Sequence, residues 1–108
     1  SQQVWEQNGI KLINDKASST SNVADYYAPA RFYKSSKITV EYPAMTKIEF
    51  TCNSSSYATA LKSSITTGTV SVSGSVVTVV LPAAADSYVI SSLTGGQVRM
   101  DSLTVYAE

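Results

Sequence analysis

The feature that most constrains the fold of this chain is a period-two alternation of apolar and polar residues. It runs through the segments KITVEY (37–42), TKIEFTC (46–52) and TVSVSG (69–74). Successive side chains of a β-strand point to opposite faces, so each segment is expected to be a strand with one buried and one solvated face. The alternation therefore predicts a chain built mainly of β-strands.

Turn residues divide the alternating segments. An Asn-Gly pair at 8–9 predicts a hairpin within the first fifteen residues, and a Gly-Ser pair at 74–75 predicts a second one. The nearly continuous apolar run VVTVVLP (76–82) predicts a central strand, and SYVISS (87–92) predicts another strand. In QVRMDSLTVYA (97–107) the apolar positions change parity at Asp101 and Ser102, which indicates a β-bulge.

Pro43 stands between the segments 37–42 and 46–52. Because proline has no N–H to donate to a ladder, it is expected to end the first strand. The two segments would then form a hairpin in which Glu41 lies opposite Lys47. The only helical candidate is SYATALKSS (56–64), and residues 14–30 are expected to form a long loop.

These segments amount to about eight strands at the regular spacing of an antiparallel sandwich. A chain of 108 residues has the length of one domain. The sequence therefore predicts an all-β fold, a single antiparallel β-sandwich, jelly-roll-like, that occupies residues 1–108.

The residue inventory excludes several kinds of catalytic site. The chain has no histidine and a single cysteine, Cys52, which excludes the usual zinc sites, a Ser-His-Asp triad and an internal disulfide. Its eight acidic residues are scattered singly, and no pair stands out as the two carboxylates of a glycoside hydrolase. We expect no enzymatic activity.

The charge balance bears on partners and location. The formal net charge is zero, which argues against nucleic acid or a membrane surface as the partner, and no apolar run approaches transmembrane length. Charged residues make up only 15% of the chain, and Ser, Thr and Tyr are abundant. This composition favours a secreted, extracellular protein.

Positive charge and aromatic rings are concentrated in one region. The segment YYAPARFYKSSK (26–37) holds four aromatic and three basic residues. Tyrosine rings can stack on the C–H faces of sugars, and lysine or arginine can pair with sugar carboxylates. The candidate ligand-binding residues are Arg31, Tyr33, Lys34, Lys37, Lys47, Lys62 and Arg99, with Tyr26 and Tyr27 behind them. The alternative is structural: Phe32 packs inward and the lysines keep a strand edge soluble.

Three segments, RFYKSSKITVEYPAMTKIEFTC, GTVSVSGSVVTVVLP and GGQVRMDSLTVYAE, resemble small β-sandwich carbohydrate-binding modules. Such modules are appended to secreted plant-cell-wall-degrading enzymes of gut and rumen bacteria. The chain is most similar to the pectin-binding family 77, whose modules recognise weakly esterified homogalacturonan with lysine-rich surfaces. The resemblance implies a non-catalytic module, a monomer within a larger multimodular enzyme, that binds an anionic polysaccharide through its basic residues.

Two other functions stay open. A binder of neutral β-glucan or xyloglucan would use Trp5, Tyr33 and Tyr57 as a stacking platform, and a structural or adhesive domain would have a protein partner. No cofactor is expected. The alternative is a structural calcium at Asp101, because an acid at such a place holds calcium in several β-sandwich sugar-binding families. Calcium needs six to eight oxygens, and Glu6 or Asp15 would have to contribute.

Overall fold

The computed structural model describes residues 1–23 and 28–108. The described residues form seven strands and one helix: β1 (Gln2–Gln7), β2 (Ile10–Asp15), β3 (Ala30–Phe32), β4 (Lys37–Cys52), α1 (Ser55–Ser64), β5 (Thr69–Ser73), β6 (Val76–Ile90) and β7 (Val98–Ala107). Every strand pair is antiparallel. The all-β, sandwich-like prediction is confirmed. Within the described ranges no helix is long and apolar enough to span a membrane.

Two long strands, β4 and β6, each take part in two regions of the sheet. Their segments 37–41 and 87–90 pair with each other, and with β2 and β1 beyond they form what we name the first half-sheet. Their segments 47–51 and 76–80 also pair with each other, between β5 on one side and β7 with β3 on the other. We name this region the second half-sheet. Both half-sheets bury one face in the same apolar core.

The prediction that Pro43 ends a strand is wrong. The chain passes through Pro43 within β4, because the register shifts on both sides of Met45 and the exposed proline needs no ladder partner there. The hairpin expected at this point does not form. Glu41 therefore does not lie opposite Lys47; it lies opposite residues of β2 and β6 in the first half-sheet.

Other local predictions are confirmed. Hairpins connect β1 to β2 and β5 to β6, with positive φ at Asn8, Gly9 and Gly74, as tight hairpin turns require. In β7, Ser102 lies opposite Thr51 and the next pair joins Met100 to Cys52, so Asp101 is the extra residue of a bulge. The strand count falls from about eight to seven because four predicted strands merge into β4 and β6, while the three-residue β3 was not predicted.

The core follows from the alternation. Val40, Ile48 and Phe50 point inward and are fully buried. Helix α1 begins at a serine cap, since Ser54 accepts a hydrogen bond from the Tyr57 N–H, and it buries Leu61 against the sheet. Full burial of a leucine stabilises the fold by about 2 kcal/mol. The helix thereby covers the inner face of the second half-sheet.

Helix α1 is also tied to the loop before β7. The Ser64 hydroxyl donates to the Ala60 carbonyl and accepts from the Gly95 N–H, each at 2.9 Å. The loop lies so close that a Cβ at Gly95 would be 2.3 Å from the Ala60 oxygen. Glycine at this position is therefore required by packing, and the contact fixes where β7 begins.

Candidate functional site

The most distinctive charge arrangement is a pair of arginines at the edge of the second half-sheet. Strand β3 pairs with β7 so that Arg31 lies directly opposite Arg99. The residues before and after each arginine are buried, so both arginine side chains leave the pair on the face away from the core. Directly opposite residues have Cβ atoms about 5 Å apart, and like charges in this arrangement are destabilising in themselves.

The second arginine is held in a defined orientation. Arg99 Nε donates to Gln97 Oε1 at 2.9 Å, and its guanidinium carbon lies 5.7 Å from the centroid of the Tyr57 ring. Within the described part of the chain Arg99 makes no salt bridge. Its terminal nitrogens therefore remain suited to an external anion. We name Arg31, Arg99, Tyr57 and Gln97 the arginine-pair site.

Two further candidates lie next to this site along the chain. Tyr33 follows β3 directly and is half-buried, and Lys34 is exposed in the turn after it. The Ser36 N–H closes this turn by donating to the Tyr33 carbonyl at 3.1 Å. Tyr33 and Lys34 are thus confined near Arg31 by a short turn. The candidates Tyr26 and Tyr27 lie outside the described residues.

Lys37 lies elsewhere, in the first half-sheet. It is exposed and lies directly opposite Asp15 of β2. The pKa of Asp15 is lowered mainly by the hydrogen bond from the Ala17 N–H, then by the one from the Gln2 side chain, with a smaller contribution from Lys37. Lys37 therefore belongs to a locally balanced group of charges.

Lys47 lies on the outer face of the second half-sheet, beside Tyr106. Its Nζ lies 4.1 Å above the ring centroid of Tyr106, whose hydroxyl donates to the Glu49 carboxylate. That hydrogen bond and the negative charge of Glu49 raise the pKa of Tyr106. Lys62 is exposed near the end of α1. The structure thus brings Arg31 and Arg99 together. Lys47 shares the outer face of the second half-sheet with them but lies at the other end of β7, whereas Lys37 and Lys62 lie in the first half-sheet and on α1.

Two of the three rings proposed as a neutral-sugar platform, Trp5 and Tyr57, have different contacts. The Trp5 ring packs against Phe32 at 5.6 Å between centroids, on the core side of β3. Tyr57 contacts Arg99, which lies on the other side of the β3–β7 pair. Trp5 and Tyr57 thus contact different residues of the β3–β7 pair, and the neutral-sugar platform stays a prediction.

The acids considered for calcium do not converge. Asp101 accepts a hydrogen bond from Asn53 Nδ2 at 3.1 Å, and Glu6 forms a salt bridge with Lys11 at 3.3 Å. Asp15 accepts a hydrogen bond from the Gln2 side chain at the open end of the β1–β2 hairpin, opposite its turn. Among residues 1–23 and 28–108, no three metal-binding side chains of the His, Cys, Asp or Glu type lie together. The three acids considered for calcium thus have different partners in the described structure.

Sequence reasoning named Arg31, Arg99 and Tyr57 but did not place them in one site, and it missed Gln97. The alternation in QVRM already put Arg99 on the solvated face and Gln97 two residues before it on the same face. No local pattern indicates which strand pairs with β7. The missing information was therefore the pairing of β3 with β7.

Comparisons with known proteins identify no class for this protein, so only its fold and its candidate site bear on that question. No family model, no curated protein and no solved structure matches the chain. The resemblance to pectin-binding modules stays a prediction. The fold itself defines an all-β protein in which two arginines and a tyrosine meet at a sheet edge.

Proposed function

We propose that this chain is a non-catalytic carbohydrate-binding module for an acidic polysaccharide, such as the homogalacturonan of pectin. The observation that carries the proposal is the direct opposition of Arg31 and Arg99 on one face, with Arg99 oriented against the Tyr57 ring. Such a pair suits a uronate carboxylate, because the planar guanidinium matches the two carboxylate oxygens and forms charge-assisted hydrogen bonds.

The position of the site supports a polymer as the ligand. The arginines lie on a strand pair at the edge of the sheet, and Tyr33 and Lys34 continue the same surface along the chain. A polyuronate presents a carboxylate on each sugar, so neighbouring sugars can use neighbouring contacts. We expect an affinity of roughly micromolar or weaker for a short oligosaccharide, rising with chain length.

The acidic side chains support a binding role without catalysis. Glycoside hydrolysis needs two carboxylates that face each other across the scissile bond. Asp15, Glu49 and Asp101 each hydrogen-bond to a local partner in a different part of the sheet. The proposal therefore includes a secreted parent enzyme whose catalytic domain is carried by another part of the same protein.

The test is a titration with polygalacturonate by isothermal calorimetry, at low and at high salt. Arg99→Ala is expected to weaken binding about tenfold, which corresponds to the loss of one charge-assisted contact. Arg99→Lys keeps the charge but loses the planar fork and is expected to recover only part of the affinity. Circular dichroism and thermal melting of each variant confirm that the fold is intact.

The matched control is Lys62→Ala, which removes one positive charge from an exposed position on α1. It should change the affinity less than twofold. If it weakens binding as much as Arg99→Ala, the attraction is a property of overall charge and no arginine-pair site exists. Equal affinity for polygalacturonate and for a neutral glucan, each weakened alike by Arg99→Ala, would also overturn the proposal.

A further inference from the structure

A cleft of about 280 Å³ opens between the β1–β2 hairpin and strand β7. Its walls include the apolar side chains of Trp5, Ile10 and Leu103, and its polar lining includes Gln7, Asp101 and Ser102. The volume lies just below the range of pockets that hold drug-sized ligands, so the cleft has the size for one small ring. It lies on the Trp5 side of β3, away from the arginine-pair site.

The bulge in β7 shapes this cleft. Met100, Asp101, Ser102 and Leu103 are consecutive, and all four line it. Residues on both sides of the bulge thus line the same cleft. A bulge changes the direction of the neighbouring side chains, and bulges are frequent beside binding sites.

The lining defines the chemistry of an occupant. It contains one carboxylate, Asp101, and no lysine or arginine among the residues the structure describes around it, so an anion would be disfavoured. Asn53 Nδ2 donates to one Asp101 oxygen at 3.1 Å, which positions the carboxylate and leaves it capacity to accept further hydrogen bonds. An apolar wall with an acceptor and a hydroxyl beside it suits a ligand with one apolar face and several hydroxyls.

We propose that this cleft is a second binding site, which takes a single neutral hydroxylated ring of the pyranose class. The ring lies along the apolar wall formed with Trp5, and one of its hydroxyls donates to the Asp101 carboxylate. The site is independent of the arginine-pair site and goes beyond the binding of an acidic polymer. A neutral sugar that carries no carboxylate is its ligand.

Trp5 supplies the readout, since it is the single tryptophan of the chain. The probes are methyl β-glucopyranoside and methyl β-galactopyranoside, with the methyl glycoside of galacturonic acid as the charged counterpart. At least one neutral glycoside should produce a saturable change in Trp5 emission and protect Trp5 from acrylamide quenching, and the uronate should bind more weakly. Amide shifts at Asp101 and Ser102 in a ¹H–¹⁵N spectrum give a second, independent measure.

Asp101→Asn is expected to weaken binding of the neutral glycoside about tenfold, while the control Asp86→Asn, an acid in another part of the sheet, should leave it unchanged. Arg99→Ala should not affect this binding, so failure of the arginine-pair site and failure of the cleft are distinguishable. The inference is overturned if neither neutral glycoside gives a saturable change, if the uronate binds as well as they do, or if Asp101→Asn binds like the unchanged protein.

Discussion

Among the residues that the structure describes, two places combine a cation with a tyrosine ring, and their neighbours make them different. At the outer face of the second half-sheet, Lys47 lies over Tyr106, and the Tyr106 hydroxyl donates to Glu49. At the sheet edge, Arg99 lies near the Tyr57 ring, and directly opposite Arg99 is another arginine. The first group contains its own counter-charge, whereas the second places two arginines directly opposite each other. Residue type alone therefore does not distinguish the two groups; the charge of the directly neighbouring residue does.

The largest effect is expected on stability, from a substitution that disturbs the packing of α1, which carries Tyr57, against the loop before β7. Gly95→Ala would place a Cβ 2.3 Å from the Ala60 oxygen and push α1 and its Tyr57 away from the loop before β7. We expect the free energy of unfolding to fall by about 2–3 kcal/mol, within the range of overpacking substitutions. Chemical denaturation measures this change.

Gly74→Ala is the matched control, because a Cβ there meets no atom within 4 Å and only the positive φ of 60° is unfavourable. It should cost about 1 kcal/mol. Equal losses for the two variants would show that the close contact between α1 and the loop does not constrain this side of the molecule.

The two tyrosines should differ in their effect on ligand binding. Tyr57→Leu is expected to weaken polygalacturonate binding about fivefold, because an aromatic contact of this kind contributes roughly 1 kcal/mol. Tyr106→Leu should change it less than twofold, since the lysine above that ring is balanced by Glu49. Calorimetric titration of both variants measures these effects, and a reversed order would place the ligand beside Tyr106 and Lys47 at the other end of β7.

The tyrosines can also be compared by alkaline titration, followed by the ultraviolet absorbance of tyrosinate. Glu49 raises the pKa of Tyr106, and burial raises the pKa of Tyr88 to about 12. Because these folded-state pKa values exceed the value of about 10 in an unfolded chain, the stabilisation is complete below pH 10 and is lost as the pH rises toward 12.

Glu49→Gln removes the negative charge beside Tyr106 and should lower its pKa without moving the titration of Tyr88. An unchanged titration curve in this variant would mean that the Tyr106–Glu49 hydrogen bond is absent in solution.

The smallest expected effect is on polygalacturonate affinity, and it tests whether the negative charge of Glu49 offsets the positive charge of Lys47. Glu49→Gln leaves Lys47 without its nearby carboxylate and should raise polygalacturonate affinity about twofold, in keeping with the few tenths of a kcal/mol that exposed ion pairs contribute. Lys47→Gln in the same background should remove the gain. If Glu49→Gln binds no better at low salt, neutralisation by Glu49 is not what distinguishes the two tyrosine sites.

Much of the fold could be predicted because it is encoded locally. Asn8 with Gly9 specifies one hairpin, and the parity change at Asp101 specifies the bulge. The passage of β4 through Pro43 could not be predicted, because it depends on register shifts that leave the proline at an exposed, unpaired position. Strand β3 has three residues, too few for an alternation to be recognised.

The chemistry of the candidate site could be predicted from the sequence, but the spatial arrangement of its residues could not. The sequence indicates that Arg31 and Tyr33 are chemically suited to a sugar acid. It does not indicate that Arg99 lies opposite Arg31, because that pairing joins two segments far apart in the chain. It likewise shows Trp5 and Asp101 as separate features, and only the folded sheet places both on one cleft.

The length of strands β4 and β6 has a consequence for how the protein unfolds. Since β4 and β6 run through both half-sheets, melting either half removes hydrogen-bond partners from the backbone of the other. Unfolding should therefore be a single cooperative transition, with amide hydrogens at both ends of β4 exchanging at a common, slow rate. A domain built this way is either folded throughout or unfolded throughout.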